Sequence, residues 1–165
     1  MTKRTFLDTG VLMAAFMAEK TEHEAALKII QDDSREFVSS DLIKLELLPK
    51  AIYQNHVIEL EFYNLFFDNS EVIAVDTNSI HNGAYKLASK YGLAACDALH
   101  ANTAITSSVD EFITTEKSTK PFFRIPTEVL TTISINQKKI RQRSNIFHDF
   151  ILRCKKYLHK YHKKS

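Results

Sequence analysis

The pattern that most narrows the possible folds is an alternation, repeated along the chain, of short apolar runs with longer amphipathic segments. The runs "RTFLD" (4–8), "EFVSSD" (36–41), "SEVIAV" (70–75), "EFIT" (111–114) and "FFRI" (122–125) read as strands. Between them, "TEHEAALKIIQDD" (21–33) opens with a Thr-x-x-Glu capping box and sets Ala25, Ala26, Ile29 and Ile30 at helical spacing. A second helix leaves "EFVSS" directly, with Ser39 or Ser40 as N-cap, and runs through "DLIKLELLPKAIYQ" with Pro49 as the expected kink. "VIELEFYNLFF" (57–67) is a third helix with an aromatic stripe. "SIHNGAYKLASKYG" is a fourth, closed by Gly92, and a fifth surrounds Asp97. Tight two-residue hairpin turns are scarce, and the whole chain holds only three glycines. Strands without hairpins need crossover helices. The expected fold is therefore a three-layer α/β/α sandwich around a mainly parallel central sheet.

At 165 residues the chain can bury one proper core, and it is too short for two comfortable domains. Apolar residues at 44% and charged residues at 25% are ordinary globular values. No G-x-G-x-x-G or Walker sequence is present, so dinucleotide and P-loop readings are set aside. Cys96 and Cys154 form no framework, which fits a reducing, cytoplasmic setting. Asp8 interrupts the apolar N-terminal stretch, so it does not read as a signal peptide. No segment approaches the ~18 apolar residues of a membrane span, and no membrane partner is expected.

The net charge of +2 hides a division. Residues 1–135 carry 12 Lys and Arg against 19 Asp and Glu, whereas residues 136–165 carry 10 against 1. The expected organisation is a domain over 1–126 and a basic extension over 127–165. In that extension Phe147, Phe150, Ile151, Cys154, Leu158 and Tyr161 form one helical stripe, and Arg153, Lys155, Lys156, Lys160 and Lys163 lie on the other face. A basic amphipathic helix of this kind can dock its stripe on the body or on a second protomer, with the cations left to attract nucleic-acid phosphates.

Four acids stand out because each is embedded in apolar sequence at a strand end or an early helix turn. Asp8 ends the first strand, and Glu116 follows "EFIT" within "FITTEKS". Glu46 lies within "LEL" in the helix entered from "EFVSS", and Asp97 begins the helix of "GLAACDALHAN". In open α/β sheets ligands bind outside the carboxyl ends of the strands, so the four can converge there. Converging carboxylates repel one another, and a hard cation such as Mg²⁺ or Mn²⁺ relieves the repulsion. Such an ion can also orient and activate a water for phosphodiester hydrolysis.

The segments "FLDTGVLMAAF", "FVSSDLIKLELLPKA", "CDALHANTA" and "FITTEKS" together resemble the signature segments of the PIN-domain family. That resemblance covers about residues 4–125. Asp8 and Thr9 match the strand-ending Asp followed by Thr or Ser, and Ser40 with Glu46 match the Ser-x-x-x-x-x-Glu approach. Residues 97–104 reproduce Asp-Ala-Leu-His-x-x-x-Ala. Thr114, Thr115 and Glu116 stand where Thr-x-Asp is usual, so a Glu replaces the last Asp and reaches one methylene further. The resemblance implies a metal-dependent endoribonuclease using Asp8, Glu46, Asp97 and Glu116, supported by Thr9 and Thr114. Many small members of the family are VapC-like toxins, which implies an antitoxin partner, and a second copy of the chain is a further expected partner. A non-catalytic module that binds RNA or protein is the alternative.

Blander expectations apply elsewhere. His100 is expected to pack beside its helix rather than act as a base, and Asp41 and Asp76 to cap helices. Phe62, Tyr63, Phe66 and Phe67 are expected in the core or at a dimer surface rather than stacking on bases. Cys154, His159 and His162 lack the spacing of a zinc site.

Overall fold

A computed structural model describes residues 2–16 and 21–135. The elements follow in the order β1 (Lys3–Leu7), α1 (Thr9–Phe16), α2 (Thr21–Ile30), β2 (Arg35–Ser40), α3 (Asp41–Tyr53), α4 (Val57–Asp68), β3 (Glu71–Ile73), α5 (Thr77–Tyr91), α6 (Ala95–Thr106), β4 (Glu111–Thr114) and β5 (Thr132–Ser134). The strands form one sheet in the order β3-β2-β1-β4-β5, and every pairing is parallel. Helices cover the sheet in a three-layer α/β/α sandwich, as the alternation of elements requires.

The connections explain the strand order. From β1 the chain steps outward to β2 and β3, then returns across the sheet to β4 and β5. The direction reverses between β1 and β4, the switch point beside whose carboxyl edge open α/β sheets bind ligands. The adjacent strands β1 and β4 bury Phe6, Leu7, Phe112 and Ile113. The Phe6 and Phe112 rings stack at 5.4 Å, and Phe122 stacks on Phe112 at 4.4 Å.

Local signals held in several places. Ser40 is the N-cap of α3, its hydroxyl accepting from the Ile43 N–H at 3.4 Å. Asp76 caps α5 by accepting from the Asn78 N–H at 3.2 Å. Gly92 ends α5 with φ +71°, a left-handed conformation that costs glycine little. Phe62, Tyr63, Phe66 and Phe67 are buried in the core. α3 continues through Pro49 to Tyr53.

Two expectations are corrected. Asp41 does not cap α3; its carboxylate accepts from the Val75 N–H at 3.1 Å and ties the start of α3 to the segment after β3. "FFRI" is not a strand. Residues Pro121–Arg124 form a 3₁₀ turn, whose buried Phe122 and Ile125 are three positions apart, the repeat of that helix. The edge strand is Thr132–Ser134, so the sheet takes its last strand from beyond residue 126. The α3–α4 hairpin leaves Leu45, Ile52, Tyr53, Val57 and Ile58 exposed. No helix among the described residues is long and apolar enough to cross a membrane. The basic stripe with Arg153, Lys155, Lys156, Lys160 and Lys163, and with it Cys154, His159 and His162, lies outside the described residues.

Candidate active site

β1 and β4 deliver the first two acids. Asp8 is the residue after β1, and its N–H donates to the Ile113 carbonyl at 2.9 Å, continuing the ladder one step past the strand. Its Oδ2 accepts from the Thr114 hydroxyl at 2.7 Å. The same Thr114 oxygen accepts from the Glu116 N–H at 3.1 Å, so one buried threonine fixes both acids across the switch point. Ser134 of β5 holds the other side of that loop, its hydroxyl donating to the Glu116 carbonyl at 2.5 Å. Gly10 lets the start of α1 come close: a Cβ at that position would fall inside contact distance of Thr115 Oγ1.

The helices bring the other two. Glu46 sits in the second turn of α3, where Thr9 Oγ1 donates to its Oε2 and His100 Nε2 meets its Oε1 at 3.2 Å. Asp97 stands in the first turn of α6, half-buried, where the helix dipole favours an anion. Thr9 thus bonds to Glu46, and Thr114 to Asp8 and to the Glu116 backbone.

The electrostatics show the four acids acting on one another. Burial raises the pKa of Asp8 above the usual carboxylate value; the Thr114 hydrogen bond and His100 pull it down, while Asp97 pushes it further up. Burial likewise raises Asp97, and the charges of Glu116 and Glu46 add to the shift against the relief from His100 and Lys120. The Cys96 thiol is raised by burial and then by the nearby carboxylates of Glu46 and Asp97.

Among the described residues, however, no three His, Cys, Asp or Glu side chains are disposed to hold a metal ion as they stand. Glu46 is held by Thr9 and His100, and Glu116 forms an ion pair with Lys120 at 4.0 Å. The donor chemistry still fits a hard divalent cation. The set is all oxygen, and burial and acidic neighbours raise the proton affinity of two of its members, Asp8 and Asp97.

Sequence reasoning missed Ser134, Lys120 and the contact of His100 with Glu46. A signal was available only for His100, three residues after Asp97 on one helix face.

The sequence profile of the PIN domain matches residues 5–122. The chain belongs to the PIN domain family. The solved structures that the fold resembles include VapBC2 from Rickettsia felis bound to a promoter DNA fragment, with TM-score 0.61 and 17% identity over 79% of this chain and 98% of that one. A toxin–antitoxin complex from Klebsiella pneumoniae matches with TM-score 0.59 and 20% identity over 82% and 99%. DNA-bound VapBC from Salmonella typhimurium matches with TM-score 0.58 and 17% identity over 82% and 99%. A comparison with curated protein sequences gave no match. At these identities the structural likeness shows the fold alone.

Proposed function

We propose that this PIN domain is a Mg²⁺- or Mn²⁺-dependent endoribonuclease that hydrolyses phosphodiester bonds of single-stranded RNA. The observation that carries the reading is the gathering of Asp8, Glu46, Asp97 and Glu116 at the switch point, with Asp8 and Asp97 raised by burial and by their acidic neighbours. Asp8, Glu46, Asp97 and Glu116 would hold the cation. When bound, a hard divalent ion lowers the pKa of a water and stabilises charge on a phosphate. The protein's own residues supply position and proton affinity. Thr114 holds Asp8 and the Glu116 loop together, and Thr9 holds Glu46. As ligands of the cation, Asp8 and Asp97 would also help to orient the attacking water. Lys120, next to Glu116, offers a charge to the phosphate.

The similarity to toxin–antitoxin complexes supports a toxin-like role in the cytoplasm, restrained by an antitoxin protein. The exposed Leu45, Ile52, Tyr53, Val57 and Ile58 form a surface that such a partner, or a second protomer, would cover. The basic extension, with Arg153, Lys155, Lys156, Lys160 and Lys163, would draw RNA toward an acidic body. One observation favours the non-catalytic alternative: no three ligating side chains are set for an ion as they stand among the described residues. The deciding experiment is cleavage of single-stranded RNA by the purified chain. Cutting that needs Mn²⁺, stops with EDTA and is lost in Asp97→Asn supports the enzyme, whereas binding without cutting at any Mn²⁺ concentration supports the module.

A further inference from the structure

His100 is a polar side chain almost wholly enclosed, at 3% exposure, and burial of an imidazole needs a reason. Its two ring nitrogens are treated very differently. Nε2 lies 3.2 Å from Glu46 Oε1, whereas Nδ1 is buried without a hydrogen-bond partner among the described residues. A carboxylate oxygen accepts, so Nε2 donates. The ring therefore serves through one atom only. That atom links two elements distant in sequence, since His100 is on α6 and Glu46 on α3. Asp97 precedes His100 by three positions on α6 and shares its face.

We propose that His100 is a positioning residue whose Nε2–H fixes the Glu46 carboxylate against α6, setting Glu46 and Asp97 relative to each other before a cation arrives. Thr9 holds the second oxygen of Glu46, so the carboxylate is gripped from α1 and from α6 at once. A donor behind a ligating carboxylate orients it and tunes its basicity, and losing such a partner commonly lowers metal affinity about 10–100-fold. The inference rests on the nuclease reading of the four acids.

The test uses the full chain, freed of metal, with Mn²⁺ affinity measured by titration calorimetry and folding checked by circular dichroism. His100→Gln places an amide N–H near the site of Nε2, and His100→Asn places one near Nδ1 and falls short of Glu46. Because Nδ1 has no partner, the glutamine gives up no bond there. The expected result is near-normal Mn²⁺ affinity in His100→Gln and a loss of about 10–100-fold in His100→Asn. If the Asn variant does not fold, His100→Leu, which fills the ring volume, takes its place with the same expected loss. Affinity in the Asn or Leu variant equal to that of the wild type overturns the proposal, as does a Gln variant no better than they are. Wild-type protein that binds no Mn²⁺, or Asp97→Asn that binds it equally well, overturns the nuclease reading, and the role of His100 falls with it.

Discussion

Thr114 and Asp8 are joined by a 2.7 Å hydrogen bond across the point where the sheet reverses its strand order, with the hydroxyl donating to Oδ2. The same hydroxyl accepts the Glu116 N–H, so one side chain sets the spacing of two acids that arrive from different strands. Thr114→Val keeps the shape and removes both bonds. A buried donor left without its acceptor costs about 1–3 kcal/mol, and urea unfolding of the metal-free variant should show a loss of that order. Asp8 also loses a bond that favours its charged form, so RNA cleavage should fall further than folding does. Full activity in a folded Thr114→Val would show that the bond is dispensable.

Asp97→Asn should abolish RNA cleavage while the metal-free fold holds or gains stability. Burial, then Glu116, raises the Asp97 pKa above the usual 3.8, so its ionised form is less favourable in the folded chain than in the unfolded one. The folded wild type loses stability as pH rises from 3.8 through that raised value. The stabilisation of the variant over the wild type should therefore appear at pH 7 and vanish below about pH 4. Thermal melts of the two metal-free proteins at pH 4 and pH 7 measure it. A variant that melts well below the wild type at pH 7 would mean that Asp97 is a structural residue.

Gly10→Ala separates helix propensity from tertiary packing. Alanine in place of glycine within a helix ordinarily stabilises by about 0.5–1 kcal/mol. Here the added methyl meets Thr115 Oγ1 at the junction of α1 with the Glu116 loop. Overpacking of this kind costs about 1–3 kcal/mol, so the net change should be destabilising and should reduce activity as Asp8 and Glu116 are pushed apart. A higher melting point in Gly10→Ala would show that the loop yields freely.

A second ionic cluster lies at the opposite, amino edge of the sheet and should affect stability alone. Glu111 is buried, accepts from the Thr5 hydroxyl at 2.9 Å and from Arg35 Nε at 2.8 Å, and faces Lys3 Nζ at 3.5 Å. Glu111→Ala removes one of the two carboxylates paired with Arg35, which keeps Asp32, and leaves the buried Thr5 hydroxyl without its carboxylate acceptor, a loss of about 1–3 kcal/mol. Denaturant midpoints should drop accordingly, while Mn²⁺ affinity of the folded protein at low temperature stays unchanged. A matching loss of Mn²⁺ affinity would mean that the two ends of the sheet are coupled.

Deleting residues 136–165 tests the basic extension. The expected outcome is weaker RNA binding with a flatter salt dependence, because each lost phosphate contact on a single strand removes about 0.7 from the slope of log K against log salt. Equal affinity with an equal slope would make the extension a partner-binding or packing element.

What the sequence determined by itself is what depends on neighbours in the chain. Helical spacing placed α2, α3, α4 and α5, while Ser40, Asp76 and Gly92 marked helix ends, because caps and i,i+3 or i,i+4 contacts act within a turn. The four acids could be picked out for the same reason: each carries its strand end or helix turn with it. Tertiary structure decided the rest. The strand order, the fifth strand at Thr132–Ser134 and the turn that buries Phe122 depend on pairings that a three-residue strand or a short aromatic run does not encode. The two bonds that grip Glu46, from Thr9 and His100, span 37 and 54 positions, and the one between Thr114 and Asp8 spans 106. Contacts at such separation exist only once the parallel sheet has brought the ends of β1, β2 and β4 to one edge, so no local pattern could announce them.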